Sequence, residues 1–147
     1  MNLIEHKKAR FDYDILETLE AGMELLGFEV KSLRAHHGAL DGAHVIVRGG
    51  EVYVVGMTIP PYQAANTPSS YEPTHTRRLL LTKKEIATLA TYEGQKGLTI
   101  VPIAVYNKGR HLKVEIATVR GKKKFDKRET LKKRDTERQV RREHSDR

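Results

Sequence analysis

The sequence predicts a mainly β fold, a small closed or partly closed β-barrel with an inserted helix, followed by a basic C-terminal tail. Two runs rich in β-branched residues, 44–56 and 98–119, each contain a glycine turn. One segment between them, 79–97, has the signature of a capped helix. The charge is uneven, because Lys/Arg outnumber Asp/Glu 13 to 6 from Arg120 onward but only 14 to 13 before it.

Residues 9–34 predict an extended stretch followed by a short helix. Segment 13–26 is rich in Leu and Glu, but Gly22 and Gly27 interrupt it and its apolar positions fit neither period. Strand and helix therefore both remain open for 13–26. In "FEVKSLR" (28–34), Val30, Leu33 and Arg34 lie at helical spacing, which predicts one or two turns of helix.

The middle of the chain predicts a hairpin and a long loop. "HVIVRGGEVYVVG" (44–56) places two strands around Gly49 and Gly50, and glycines adopt positive φ at low cost. Segment 59–76 contains four of the five prolines and many small polar residues. We expect a long surface loop there, and loops of this length are often functional or mobile.

The helix predicted within 79–97 has a capping box, since Glu85 follows Thr82 by three residues. Its apolar stripe is expected to comprise Ile86, Leu89 and Ala90.

The hairpin at 98–119 has a continuously apolar first arm, typical of a strand buried on both faces. Its second arm alternates, so one face should meet water; the apolar set is Leu112, Val114 and Ile116, and the polar set is Lys113 and Glu115. Among small barrels of this size the oligonucleotide-binding barrel is the commonest.

The tail has few apolar residues, namely Phe125, Leu131 and Val140. It is too polar to join a core, but it is rich in helix-forming residues. We therefore expect two parts, a barrel domain at 1–120 and a tail at 121–147 that is disordered when free and helical on a polyanion. Nucleic acid is the commonest polyanionic partner, with a merely solubilising tail as the alternative.

Several classes of chemistry find no support. The absence of cysteine excludes disulfides and cysteine-ligated zinc, and no apolar run is long enough to cross a membrane. We expect no membrane partner, and the cytosol as the default compartment. His36, His37 and His44 lie near Asp41 in sequence but match no standard metal spacing.

We therefore expect no metal, no cofactor and no enzymatic activity. Paired carboxylates, Asp12 with Asp14 or Glu17 with Glu20, leave a metal-dependent nuclease as an alternative. More often such residues form the solvent face of a strand.

Short basic clusters lie on separate predicted elements, and on one common face they would follow a phosphate backbone. These candidates are Lys8, Arg10, Lys31, Arg34, Arg77, Arg78 and Lys83. Five tyrosines are candidates for stacking on unpaired bases, with a rim or core position as the alternative for each. They are Tyr13, Tyr53, Tyr62, Tyr71 and Tyr106.

Four segments of the sequence resemble a known protein family, which the composition alone does not indicate. In order along the chain they are "KARFDYDILETLEAGMELLGFEVKSLR", "TRRLLLTKKEI", "GLTIVPIAVY" and "GKKKFDKRETLKKRD". Together they resemble the SmpB family, the SsrA-binding proteins of bacteria, over roughly residues 6–135. Three features depart from the family pattern. Thr82 stands where the family usually has His or Asn, His6 stands where it usually has Asn, and "AHHGALDGAH" after "SLR" is irregular.

The resemblance implies a closed oligonucleotide-binding barrel with inserted helices that binds the tRNA-like domain of transfer-messenger RNA (tmRNA). It implies delivery of that RNA to stalled ribosomes for trans-translation, with the tail entering the empty mRNA channel of the small subunit near the decoding centre. We expect a monomer. A general barrel-type translation factor or ribosome-associated RNA-binding protein is the alternative.

The resemblance also implies roles for particular residues. Glu20 in "EAG" and Leu80 in "RRLLL" match positions that are important for RNA binding in the family. Glu20 is expected to accept hydrogen bonds from a base edge or a neighbouring basic side chain, whereas Leu80 has a core position as its alternative. The tail residues expected to act on the ribosome are Gly121, Lys122, Lys123, Asp126, Lys127 and Arg128.

Overall fold

A computed structural model describes residues 2–63, 65 and 67–121, except for the side chain of Arg10. Over these residues the strands are β1 (Asn2–Glu5), β2 (Tyr13–Met23), β3 (His44–Arg48), β4 (Glu51–Val55), β5 (Arg77–Leu80), β6 (Leu98–Lys108) and β7 (His111–Gly121). The helices are α1 (Ala9–Asp12), α2 (Gly27–Arg34) and α3 (Lys83–Glu93). One antiparallel sheet has the strand order β1-β6-β7-β2-β5-β4-β3. The mainly β prediction is confirmed, and closure into a barrel stays a prediction.

Segment 13–26, left open by the sequence, is largely strand. β2 pairs with β7 from Tyr13 to Gly22, with a register shift between Ile15 and Glu17. Long-range pairing therefore determines the secondary structure of this segment, because its own residues favour neither strand nor helix. The helix predicted at 28–34 is confirmed as α2, whereas β1 and the single turn of α1 were not predicted.

Both predicted hairpins are confirmed. Gly49 and Gly50 join β3 to β4 with φ values of 59° and 76°, and Gly109 turns β6 into β7 with φ 64°. Between β4 and β5, residues 59–76 form the predicted long loop in the parts that the structure describes.

The capping box of α3 is confirmed. The backbone N–H of Glu85 donates to the Thr82 hydroxyl at 3.2 Å, and a Glu85 carboxylate oxygen accepts from the Thr82 N–H at 2.9 Å. Leu89 is buried, but Ala90 is exposed, so its place in the apolar stripe was wrong. Strand β5 just before the helix was missed, because its pairing with β2 and β4 is not visible in so short a segment.

The hydrophobic core lies on the inner face of the sheet beneath α2 and α3. Leu33 and Leu89 from these helices are buried in it together with Leu112, Val114 and Ile116 of β7. The alternation predicted for β7 is therefore confirmed at 112–116, and the apolar interior predicted for β6 is confirmed too. Lys113 and Glu115 are left on the outer face, which is free to carry polar chemistry.

A buried polar anchor fastens the long loop to α2. The Glu29 carboxylate accepts hydrogen bonds from Arg77 Nε at 2.8 Å and from the Tyr71 hydroxyl at 2.9 Å, and it contacts the His75 ring at 2.9 Å. Arg77 also donates to the carbonyls of Met57 at 2.7 Å and of Pro73 at 2.8 Å. These bonds hold the loop at 59–76 against α2.

Candidate nucleic-acid interface

Cross-strand pairing arranges the outer face of β6, β7 and β2 in rows. Tyr106, Lys113 and Gly22 stand opposite one another in one row, and Gly22 pairs onward with Leu80 of β5. Directly opposed residues share a face of the sheet, so all four positions belong to one surface. The next row includes Glu115 opposite Glu20.

A cleft of about 230 Å³ opens at one end of this face, between α2, the β6–β7 turn, β2 and β5. Its cationic residues are Arg34, Arg110 and Lys113, and Leu80 supplies an apolar wall with 47% of its surface exposed. Arg34 Nη2 donates to the Arg110 carbonyl at 3.0 Å, which ties α2 to the turn. The cleft thus combines positive charge with an exposed apolar side chain, as phosphate and base contacts require.

Gly22 keeps this cleft open. A Cβ at Gly22 would lie 3.3 Å from the Leu80 Cβ and 3.6 Å from the Lys113 ammonium. The first distance is tighter than ordinary contact, so a larger residue would push Leu80 away from its place. The glycine of "EAG" is therefore explained by the close approach of two neighbouring strands.

Beside the cleft, Glu20 is held by two donors. The Tyr106 hydroxyl donates to Oε2 at 2.5 Å, and the Lys108 ammonium donates to Oε1 at 2.9 Å. The hydrogen bond from Tyr106, followed by that from Lys108, lowers the pKa of Glu20 below its ordinary value of 4.5. Burial, followed by the adjacent Glu20, raises the pKa of the Tyr106 hydroxyl, which therefore stays a donor. Lys108 is the neighbouring basic partner that the sequence suggested as one alternative for Glu20.

The structure brings together only part of the predicted RNA-binding set. Arg34 and Leu80 line the cleft with Glu20 close by, and Leu80 is exposed, not in the core. Lys31 is exposed on α2, three residues before Arg34. The remaining lysines are exposed near the starts of other helices, Lys8 before α1 and Lys83 in α3.

Arg77 needs a correction. It was expected to contact phosphate, but only 1% of its surface is exposed and its guanidinium is bound to Glu29 and to backbone carbonyls. It is a structural residue of the buried anchor. Its neighbour Arg78 has a half-buried side chain that forms ion pairs with Glu24 at 2.8 Å and Glu51 at 3.3 Å.

Two of the stacking candidates, Tyr71 and Tyr106, donate hydrogen bonds through their hydroxyls. Tyr71 belongs to the buried anchor and its ring packs edge-on against Phe28, with centroids 4.7 Å apart. Tyr106 donates its hydroxyl to Glu20. Tyr13 and Tyr53 are half-buried, and Tyr62 is 45% exposed, the most open of the described tyrosines.

Several predicted residues lie outside the described residues. They are Lys122, Lys123, Asp126, Lys127 and Arg128, together with the side chain of Arg10. Gly121, expected to start the tail, is the last residue of β7 and pairs with Tyr13, so the strand extends one residue past the predicted boundary.

Sequence reasoning missed two cationic residues of the cleft, Arg110 and Lys113. Lys113 was recognised only as part of an alternating strand, although that alternation already placed it on the water-facing side. Arg110 lies in the hairpin turn, where polar residues are common and carry little signal. Within the described ranges, no three His, Asp or Glu side chains are placed to hold a metal ion, and no helix is long and apolar enough to span a bilayer.

Comparison with known proteins assigns the chain to a family. The sequence model described as "SmpB protein" matches residues 3–146. The chain belongs to the SmpB protein family. The SmpB resemblance predicted from four strings of residues is thereby confirmed.

Relatives of this SmpB-family chain are similar over almost their whole length. An SsrA-binding protein of Mycoplasma mycoides is 46% identical, covering 92% of both chains, and one of Chlorobaculum tepidum is 48% identical, covering 93% of this chain and 87% of its own. A solved structure described as "tmRNA-SmpB: a journey to the center of the bacterial ribosome" contains a chain 42% identical to this one. It aligns with a TM-score of 0.70 and covers 82% of this chain and 85% of the other.

Proposed function

We propose that this protein binds the tRNA-like domain of tmRNA, delivers it to stalled ribosomes and enables trans-translation. The observation that carries the proposal is the cleft, which joins Arg34, Arg110 and Lys113 to the exposed Leu80 on one face. Relatives named SsrA-binding protein and the fold shared with a chain of a tmRNA-SmpB ribosome structure support it.

The cleft suits folded RNA better than a regular duplex. Three cations can contact phosphates, which position an RNA without reading its sequence. Leu80 offers an apolar surface against which an unstacked base or a ribose can pack, and such bases are found in loops. A tRNA-like fold presents loops and a bent backbone together, so it can engage both kinds of contact.

Further cations extend the interface beyond the cleft in this proposal. Lys31 continues the positive surface along α2, while Lys8, Lys83 and Arg78 contact phosphates farther along the RNA, as does Arg10. All of these contacts are electrostatic, so they add affinity that falls as salt rises.

Two parts of the chain have separate roles in this proposal. Residues 1–120 bind the RNA, and residues 121–147 act on the ribosome in the empty mRNA channel. The tail residues with this role are Gly121, Lys122, Lys123, Asp126, Lys127 and Arg128. The protein works in the cytoplasm as a monomer, and it acts by binding, without catalysing a reaction.

Salt-titrated binding tests this proposal, with the full chain and a chain ending at Gly121 as the two proteins. Each is titrated with the tRNA-like domain against a hairpin of equal length. We expect both to prefer the tRNA-like domain, and the shorter chain to show a shallower dependence of affinity on salt because it has fewer cations. Equal affinity for both RNAs would leave a general RNA-binding protein of the translation machinery, and loss of all RNA binding on truncation would contradict the division of work.

A further inference from the structure

The carboxylate of Glu20 is held by its neighbours but is not saturated by them. Tyr106 occupies one lone-pair direction on Oε2, and Lys108 occupies one on Oε1. An ionised carboxylate offers about four acceptor sites, two on each oxygen. One site on each oxygen is therefore left, and 34% of the side chain is exposed.

The two donors also fix the direction of the remaining sites. Because they bind different oxygens, rotation of the carboxylate would break both bonds together. Tyr106 stands on β6 in the row next to Glu20, and Lys108 follows it by two residues on the same strand. The result is a pair of adjacent acceptors in a fixed orientation beside the cationic cleft.

Two adjacent acceptors select among the four bases of RNA. Guanine presents two neighbouring donors, N1–H and N2–H, on its Watson–Crick edge. Adenine and cytosine present one amine beside a ring nitrogen that accepts, and uracil presents one N–H between two carbonyls. A carboxylate repels those acceptors, so guanine is the base that can occupy both sites.

The surroundings make a carboxylate tolerable on a surface that binds RNA. Lys108 pairs with Glu20 directly, and Lys113 stands in the adjacent row between Tyr106 and Gly22. These two cations offset the repulsion between Glu20 and the phosphate backbone. An unpaired guanine can then approach Glu20 while its phosphate is bound by a lysine.

We propose that Glu20, positioned by Tyr106 and Lys108, binds the N1–H and N2–H edge of an unpaired guanine in the RNA. This inference rests on the proposed function, because it requires that the RNA lies on this face. Tyr106 and Lys108 are positioning residues, which orient the carboxylate. Glu20 alone contacts the base.

A second tyrosine–glutamate pair provides a matched control. The Tyr92 hydroxyl donates to Glu17 Oε2 at 2.5 Å, and Glu17 lies on β2 three residues before Glu20. Tyr92→Phe removes the same kind of hydrogen bond outside the cleft. Glu115→Gln is a second control, because Glu115 stands directly opposite Glu20 across the two strands and tests whether any carboxylate on this face would serve.

The experiment uses the full-length chain and the tRNA-like domain of tmRNA, in which each unpaired guanosine is replaced in turn by inosine. Inosine keeps N1–H and lacks only the N2 amine. In the natural protein we expect one position where inosine weakens binding about tenfold, because a hydrogen bond to a charged acceptor is lost.

The variants assign that penalty to particular groups. In Glu20→Gln the inosine penalty should disappear, since the amide no longer offers two acceptors. In Tyr106→Phe it should fall to about threefold or less, because the carboxylate can turn. Tyr92→Phe and Glu115→Gln should keep it at about tenfold, and circular dichroism verifies that all four variants are folded.

Two results would overturn the inference. The guanine contact is excluded if inosine is neutral at every unpaired position while Glu20→Gln still weakens binding. An unchanged inosine penalty in Tyr106→Phe would remove Tyr106 from the positioning role. Failure of the proposed function looks different, because the natural protein would then bind the tRNA-like domain no better than a hairpin of equal length.

Discussion

Replacing Arg77 by methionine should strongly destabilise the folded domain. Methionine keeps an apolar side chain of similar length but removes the guanidinium. The change leaves Glu29 with a fully buried carboxylate and deprives three backbone carbonyls of a donor. Breaking one side of a buried ion pair costs about 3–5 kcal/mol, because the remaining charge is uncompensated. The Tyr71 hydroxyl and the Leu26 N–H still donate to Glu29, so we expect the lower half of that range.

The measurement is urea unfolding of the full-length chain, with circular dichroism as the signal that monitors unfolding. For a domain of this size, a loss of about 3 kcal/mol corresponds to a melting temperature lower by about 10 °C. Arg78→Met is the matched control, because the neighbouring residue also forms ion pairs with two glutamates, but at a partly exposed site. Exposed pairs contribute little, so this variant should unfold close to the natural protein.

A double variant separates the buried charge from lost packing. If the cost of Arg77→Met arises from an orphaned carboxylate, then adding Glu29→Gln should restore part of the lost stability. The reasoning would be refuted if Arg77→Met were no more destabilising than Arg78→Met. It would also be refuted if the double variant were less stable than the two single changes combined.

The remaining predictions concern pH, the helix cap and the cleft. Burial alone would raise the pKa of Glu29, but the hydrogen bonds from the Leu26 N–H and Arg77 hold it below the ordinary value of 4.5. The stabilisation is therefore present above about pH 4.5 and is lost as the pH falls further, which acid titration of the unfolding free energy checks. Thr82→Ala should cost about 1 kcal/mol in urea unfolding through loss of the cap, and leave RNA affinity unchanged. Lys113→Met should weaken binding to the tRNA-like domain and lower the salt slope by about one. The same change at Lys96, an exposed residue between α3 and β6, should do neither.

Local signals account for the parts of the fold that the sequence predicted. The glycine turns at Gly49 and Gly109, the capping box at Thr82 and the alternation around Lys113 each need only a few neighbouring residues. Strand β2 could not be predicted in this way, since its state depends on pairing with a strand about 100 residues later. The four-residue strands β1 and β5 were missed for the same physical reason, because each is fixed by its partners.

The candidate site, too, could be predicted from the sequence only in part. Glu20 and Leu80 were found through a resemblance to a family, and no periodicity would have singled them out. Arg77 and Arg78 are adjacent and identical in type, yet one is buried in an anchor and the other lies at the surface. Strand β5 places them on opposite faces, and Glu29, 48 residues earlier in the chain, lies on the face of Arg77. Residue type indicates what a side chain can bind, and the fold decides which partner reaches it.

Strand β7 sets a fixed distance between the cleft and the start of the basic tail. Lys113 stands in the cleft near its beginning, and Gly121, where the basic tail starts, is its last residue. Eight residues of extended chain span about 26 Å at about 3.3 Å per residue. β6 and β2 hold the strand on both sides, and a slip of one residue would turn Lys113 into the core and Val114 outward. If RNA binds in the cleft as proposed, the strand therefore sets the distance from that RNA to the point where the tail begins.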